Sequence, residues 1–211
     1  RKVCRNLRSA IDKLGTHFNK ISIKFFIDSV LLNFDGIKIT YFYEFIGGSY
    51  VWINEQQKTI EVVNYMEAAF TDLKILLKHV SQLDIYRQQK YRHNTVSSLV
   101  DVLKENVNIH VETITLNDFS FDDVLLILPL FNCETLKKIS LSKIFEIDQL
   151  EKITYLDQWK NAKKFSAWNT FFECSPIEFF FHFEEFTINT DDFPIQNVRL
   201  KSAQFRLKNL M

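Results

Sequence analysis

Glycine, proline and cysteine are all scarce in this 211-residue sequence, with four, three and three copies. So few glycines leave no phosphate-binding loop: Gly47-Gly48 is the one adjacent pair, and it does not lead into a G-x-x-x-x-G-K-[ST] pattern. Cys4, Cys133 and Cys174 are far apart and odd in number, without C-x-x-C or Cys/His ligand spacing. They support neither a disulfide framework nor a zinc site. An excess of charge is missing too, with 26 Lys+Arg against 26 Asp+Glu. Neutrality argues against a general nucleic-acid or anionic-membrane binder, because both need surplus cations. The basic pairs Lys137-Lys138 and Lys163-Lys164 read as solvated strand edges. No apolar run approaches the ~20 residues that span a bilayer, and no signal peptide opens the chain. The expectation is a soluble protein of a reducing compartment, cytoplasmic or nuclear. Arg1 in place of Met points to a fragment or a processed chain.

Catalytic constellations are equally wanting. His17, His79, His93, His110 and His182 have no i,i+4 partner and no H-E-x-x-H pattern. His182, inside Phe179-Phe-Phe-His-Phe, reads as a hydrogen-bonded, partly buried histidine rather than a base. Asp122-Asp123, Glu184-Glu185 and Asp191-Asp192 are sequence neighbours, which on extended chain point to opposite faces and make poor acid/base pairs. No G-x-S-x-G elbow is present. The reading is therefore a protein that is not an enzyme, with no metal and no cofactor.

What is abundant is phenylalanine, 21 copies, a large volume per residue that suits a core of thin stacked layers. The apolar residues follow a pattern, Φ-x-x-Φ-x-Φ, at Val80/Leu83/Ile85, Val111/Ile114/Leu116, Leu136/Ile139/Leu141, Ala162/Phe165/Ala167 and Phe183/Phe186/Ile188. Between the middle residues the steps are 31, 25, 26 and 21 residues, the period of leucine-rich-type repeats. The last two Φ positions lie two apart, so both point into the core and the residues between them point out. The expected fold is α/β (α+β): a leucine-rich-repeat-like αβ solenoid of about five irregular repeats, preceded by a small antiparallel β meander.

Along the chain, Arg1 to Leu14 reads as a basic amphipathic helix. Asp35-Gly36 between alternating apolar residues signals a hairpin, and a meander is expected from Ile21 to Tyr43 with a further strand near Tyr50. Helices are expected over Val63 to Lys78 and Val96 to Lys104, with Asn94 as a cap. Ser120-Phe-Asp-Asp starts another that Pro129 ends, and Gln149 to Ala162 is mostly helical. Ser175-Pro-Ile-Glu and, more weakly, Asp192-Phe-Pro start two more, the last reaching Leu207.

By strand alternation the outward face carries Gln82, Asp84 and Tyr86, then Thr113 and Thr115, Lys138 and Ser140. It continues through Lys164, Ser166 and Trp168 to Glu185 and Thr187. Small hydroxyl residues edged by charge, with one Tyr and one Trp, make a candidate protein-binding surface.

The stretches beginning Phe119-Ser-Phe-Asp-Asp-Val, Glu134-Thr-Leu-Lys-Lys-Ile, Leu156-Asp-Gln-Trp-Lys-Asn and Pro176-Ile-Glu-Phe-Phe-Phe-His-Phe-Glu-Glu resemble the FTH domain that follows the F-box in a large nematode family of F-box proteins (the F-box A family). The resemblance covers about residues 60 to 205 and implies three segments. Residues 1–16 would be the last F-box helix, 17–60 the meander and 61–211 the FTH domain. It implies a non-catalytic target-recognition part of an SCF-type ubiquitin-ligase adaptor, with a Skp-type adaptor and cullin as partners through the F-box and a protein target on the repeats. Membrane is excluded as a partner and nucleic acid disfavoured. Most of the F-box is missing here, so this chain alone is not expected to hold the adaptor well. The resemblance leaves open a second role, a scaffold that binds an RNA-binding protein in translational control without degradation.

Overall fold

Asp35 and Gly36 both take positive φ, 43° and 87°, as a two-residue type I′ hairpin requires. They join β2 (Ser29–Phe34) to β3 (Ile37–Glu44) in the register Phe34↔Ile37. The computed structural model that shows this describes residues 18–44, 48–54, 56–60, 64–88, 94–106, 109–144, 150–168 and 177–188. The expected helices over Arg1 to Leu14 and from Asp192 to Leu207 lie outside the described residues. The fold is mixed α/β, and the chain divides into two compact units, residues 1–111 and 112–211.

In the first unit β1 (Phe18–Phe25), β2, β3, β4 (Gly48–Ile53) and β5 (Gln56–Ile60) form an antiparallel run, and β6 (Val80–Arg87) lies parallel to β1. The strand order is β6-β1-β2-β3-β4-β5. Ile21, Ile23, Phe25, Val30, Leu32, Phe34, Ile39, Tyr41 and Val51 are all buried, one alternate row per strand. Helix α1 (Tyr65–Leu76) begins at Asn64, whose side chain accepts from the Met66 amide at 2.9 Å. It ends in a 3-10 turn, Leu77–His79. Phe70 of α1 meets Phe25 at 6.0 Å, and the α1 carboxylate of Asp72, 1% exposed, accepts from the Tyr41 hydroxyl at 2.5 Å. Helix α2 (Asn94–Glu105) completes the described helices of this unit.

In the second unit β7 (Thr113–Asn117), β8 (Lys138–Ser142), β9 (Lys164–Trp168) and β10 (Glu185–Ile188) are parallel neighbours in that order. The register aligns Ile114, Ile139, Phe165 and Phe186 in one buried row, and Leu116, Leu141, Ala167 and Ile188 in the next. Every Φ position named from the sequence is buried, Val80, Leu83 and Ile85 of the first unit included. Helix α3 (Phe121–Ile127) starts with a complete capping box, Ser120 Oγ accepting from the Asp123 amide and Asp123 accepting from the Ser120 amide. Pro129 then sits in a 3-10 turn, Leu128–Leu130.

Two helical expectations need correcting. The stretch up to Ala162 is two short helices, α4 (Glu151–Thr154) and α5 (Asp157–Asn161), with Leu156 extended between them (ψ 135°). That break rolls Trp159 into the core, where its ring lies 4.9 Å from both Phe165 and Phe183 and 5.7 Å from Phe180. Downstream, Ser175 and Pro176 lie outside the described residues, and a single 3-10 turn, Ile177–Phe180, stands where a helix was expected. Phe180 and Phe183, three residues apart, both pack on Trp159 and Phe165.

Tyr41→Phe removes a donor to a carboxylate that water hardly reaches. The expected cost is about 1–3 kcal/mol in urea-denaturation stability, with an unchanged urea slope.

Candidate functional site

The outward residues of the second unit fall into three rows set by the parallel register. Thr113, Lys138, Lys164 and Glu185 form the first; Thr115, Ser140, Ser166 and Thr187 the second; Asn117, Ser142 and Trp168 the third. The middle row is low and hydroxyl-rich, and Ser166 and Ser140 share a 2.9 Å hydrogen bond. Trp168, 40% exposed, ends the third row. Lys164 pairs with Glu185 at 2.8 Å, and that hydrogen bond and charge hold the ammonium above the ordinary lysine range.

Each strand is entered the same way. The amides of Lys137 and Lys138 both donate to the Glu112 carbonyl, those of Lys163 and Lys164 to Lys137, and those of Glu184 and Glu185 to Lys163. Side chains repeat the step, with ion pairs Glu112–Lys137 at 2.8 Å and Lys163–Glu184 at 3.0 Å. At the far ends, Asp118 and Lys143 take left-handed φ, 67° and 52°. They donate to Ser142 and Trp168 carbonyls at 2.9 and 3.0 Å.

Gln82, Asp84 and Tyr86 lie on the outward face of the first unit, beside Lys20, Ser22 and Lys24 of β1. Two of the expected outward residues are buried. Asp84 is 2% exposed because the Lys20 ammonium (2.5 Å), the Gln82 amide (3.2 Å) and the Tyr86 hydroxyl (3.4 Å) enclose its carboxylate. Ser166 is 8% exposed, with its hydroxyl bonded to that of Ser140. The hydrogen bond to Asp84 is the main cause that lifts Lys20 above the ordinary lysine range, overcoming the opposing effect of burial. Burial, helped by the charge of Asp84, raises the Tyr86 phenol. Lys20 and Lys24 were missed because the β1–β6 pairing joins residues some 60 positions apart, and no local pattern announces a parallel partner.

Of the residues singled out for chemistry, His182 is exposed and its Nε2 lies 2.8 Å from the Trp159 carbonyl. Cys133 is a half-buried free thiol. Among the described residues no group of three or more His, Cys, Asp or Glu side chains is placed to hold a metal, and no helix is long and apolar enough to cross a membrane.

Lys20→Met strands the Asp84 charge in a site closed to water. A loss of about 1–3 kcal/mol is expected, partly restored by adding Asp84→Leu, in a urea-denaturation double-mutant cycle at pH 7. Because the Lys20 pKa is raised, the pair's contribution is complete below the ordinary lysine range and fades only as pH climbs past about 10.4.

Comparison with known proteins bears on what such a face is for. The model of the FTH domain family matches residues 93–201, just over half of the chain. F-box A protein 224 of Caenorhabditis elegans is 22% identical over 215 residues, covering 93% of this chain and 54% of that protein. The chain thus spans about half the length of the curated relative it matches. No solved structure matches. On a family match over just over half of its length, the chain belongs to the FTH domain family.

Proposed function

We propose that this chain is a non-catalytic protein-interaction domain, the target-recognition part of an SCF-type ubiquitin-ligase adaptor. The observation that carries the reading is the coincidence of the FTH match with β7 to β10. In that stretch an invariant one-strand step repeats the same outward rows. A target would lie on the hydroxyl row, Thr115, Ser140, Ser166 and Thr187, with the Lys138/Lys164/Glu185 row on one side and Trp168 on the other. Trp is favoured at such positions because it covers a large area at low conformational cost. Parallel strands entered by the same carbonyl step and left through the same left-handed turn support a leucine-rich-repeat-like, solenoid reading of this half. The catalytic step of ubiquitin transfer would belong to the ligase, with a Skp-type adaptor and cullin bound through an F-box in the whole protein. Such a complex operates in the cytoplasm or nucleus, and the chain itself needs no cofactor.

The test begins with the full-length gene product. Co-elution with the Skp-type adaptor and cullin at micromolar concentration is expected, and a folded protein that elutes alone would remove the ligase role. For a target identified through that complex, Trp168→Ala is expected to weaken binding by about 2 kcal/mol, roughly thirtyfold, measured by calorimetry. Unaltered affinity would remove the Trp168 face.

A further inference from the structure

The shape and charge of the hydroxyl row narrow the class of target it can hold, given the reading above that a target lies on this face. Serines are the shortest outward side chains on β7 to β10, and all three, Ser140, Ser142 and Ser166, lie together on β8 and β9. Thr115 of β7 and Thr187 of β10 stand in the same row as Ser140 and Ser166, one on each side. The result is a shallow trough along β8 and β9, floored by the hydrogen-bonded Ser140–Ser166 pair. Lys138 stands at its entry end and Trp168 at its exit end.

The charges around the trough are compensated, except one. Glu112 holds Lys137 at 2.8 Å, Glu184 holds Lys163 at 3.0 Å and Glu185 holds Lys164 at 2.8 Å. Asp118, at the end of β7, is buried. Among the described residues half-buried Lys138 has no ion-pair partner, although it shares a row with Thr113, Lys164 and Glu185. Three lysine–glutamate pairs cancel, and a single positive charge is left at the entry end. One uncompensated cation calls for one anion rather than a polyanion. The hydroxyls of Thr115 and Thr187 make no hydrogen bond among the described residues, so both are available to a main chain lying in the trough.

From Lys138 to Trp168 is four residues along the strands and one strand across, about 14 Å between Cα atoms. An extended peptide covers that span in about four residues, and side chains four apart on such a chain point the same way. A carboxylate over Lys138 and a large apolar side chain on Trp168 can therefore face the sheet from one extended segment.

We propose that the target segment is an extended acidic peptide. Its Asp or Glu sits on Lys138, a large apolar residue four positions away packs on Trp168, and the main chain between them crosses Ser140 and Ser166.

The test is selection of phage-displayed random twelve-residue peptides on the immobilised 211-residue chain, followed by fluorescence anisotropy with the leading peptide as a fluorescein-labelled synthetic probe. Enriched sequences are expected to share Asp or Glu four positions from a large apolar residue. Lys138→Ala should weaken probe binding roughly two- to fivefold, the worth of one exposed charge pair. Lys138→Glu should weaken it about tenfold, because repulsion replaces attraction. A probe with Lys in place of its acid should bind the Lys138→Glu chain more tightly than the parent. These outward substitutions should leave the urea midpoint near that of the parent, so lost binding is not lost folding. No enriched sequence, enrichment without the acid, or a probe that binds Lys138→Glu like the parent would each overturn the proposal. Binding lost in Trp168→Ala but unchanged in Lys138→Glu removes the acidic ligand and leaves the target face standing. A probe indifferent to both substitutions binds elsewhere, and removes the acidic ligand and the face together.

Discussion

Burial on one face of each strand is the constraint on which the other features depend. In the second unit two apolar rows, Ile114 to Phe186 and Leu116 to Ile188, are buried by a register that shifts by no residue from strand to strand. A slip of one would turn every one of those side chains into water and bring Thr, Ser and Lys inward. The same alternation in the first unit buries Ile21, Leu32, Ile39 and Val51. Once the inward rows are fixed, the outward rows are fixed as well, and the candidate binding face is a consequence of core packing.

Aromatic volume finishes the second unit. Trp159 occupies the centre of a ring cluster with Phe165, Phe180 and Phe183. Gln158, buried beside it, donates its side-chain amide to the Phe131 carbonyl at 2.7 Å and ties α5 back to the turn after α3. With four glycines in the chain, non-glycine residues supply several positive-φ turns: Asp35, Asn54, Asp118 and Lys143. Asp and Asn tolerate that region best. Lys143 has no such excuse, and the hydrogen bond its amide donates to the Trp168 carbonyl repeats that of Asp118 to Ser142 one strand earlier.

Much of this was legible in the residues. Asp35-Gly36, the Ser120 capping box and every Φ position carry local signals strong enough to survive tertiary context. The parts that were not legible depend on distant partners. β5, Gln56-Gln-Lys-Thr-Ile, lacks apolar alternation and is held by its pairing with β4. Asp72 looks like any polar helix residue until Tyr41, 31 positions away, turns its hydroxyl onto it. Asp84 alternates outward as expected, yet a lysine from β1 closes over it. The helix expected up to Ala162 failed because packing of Trp159 outweighed the helical spacing of its neighbours.

Trp52 of β4 and Trp168 of β9 lie on the outward faces of the two units, while the third tryptophan of the chain is the core anchor. Hydroxyl-radical footprinting read by mass spectrometry therefore tests the inward/outward assignment in both units at once. Trp52 and Trp168, each 40% exposed, should oxidise rapidly in the native chain, and Trp159, 1% exposed, should be protected until denaturant is added. Oxidation of Trp159 at the rate of Trp168, or native protection of Trp168 and Trp52 equal to that of Trp159, would contradict the inward and outward placement on which both faces rest.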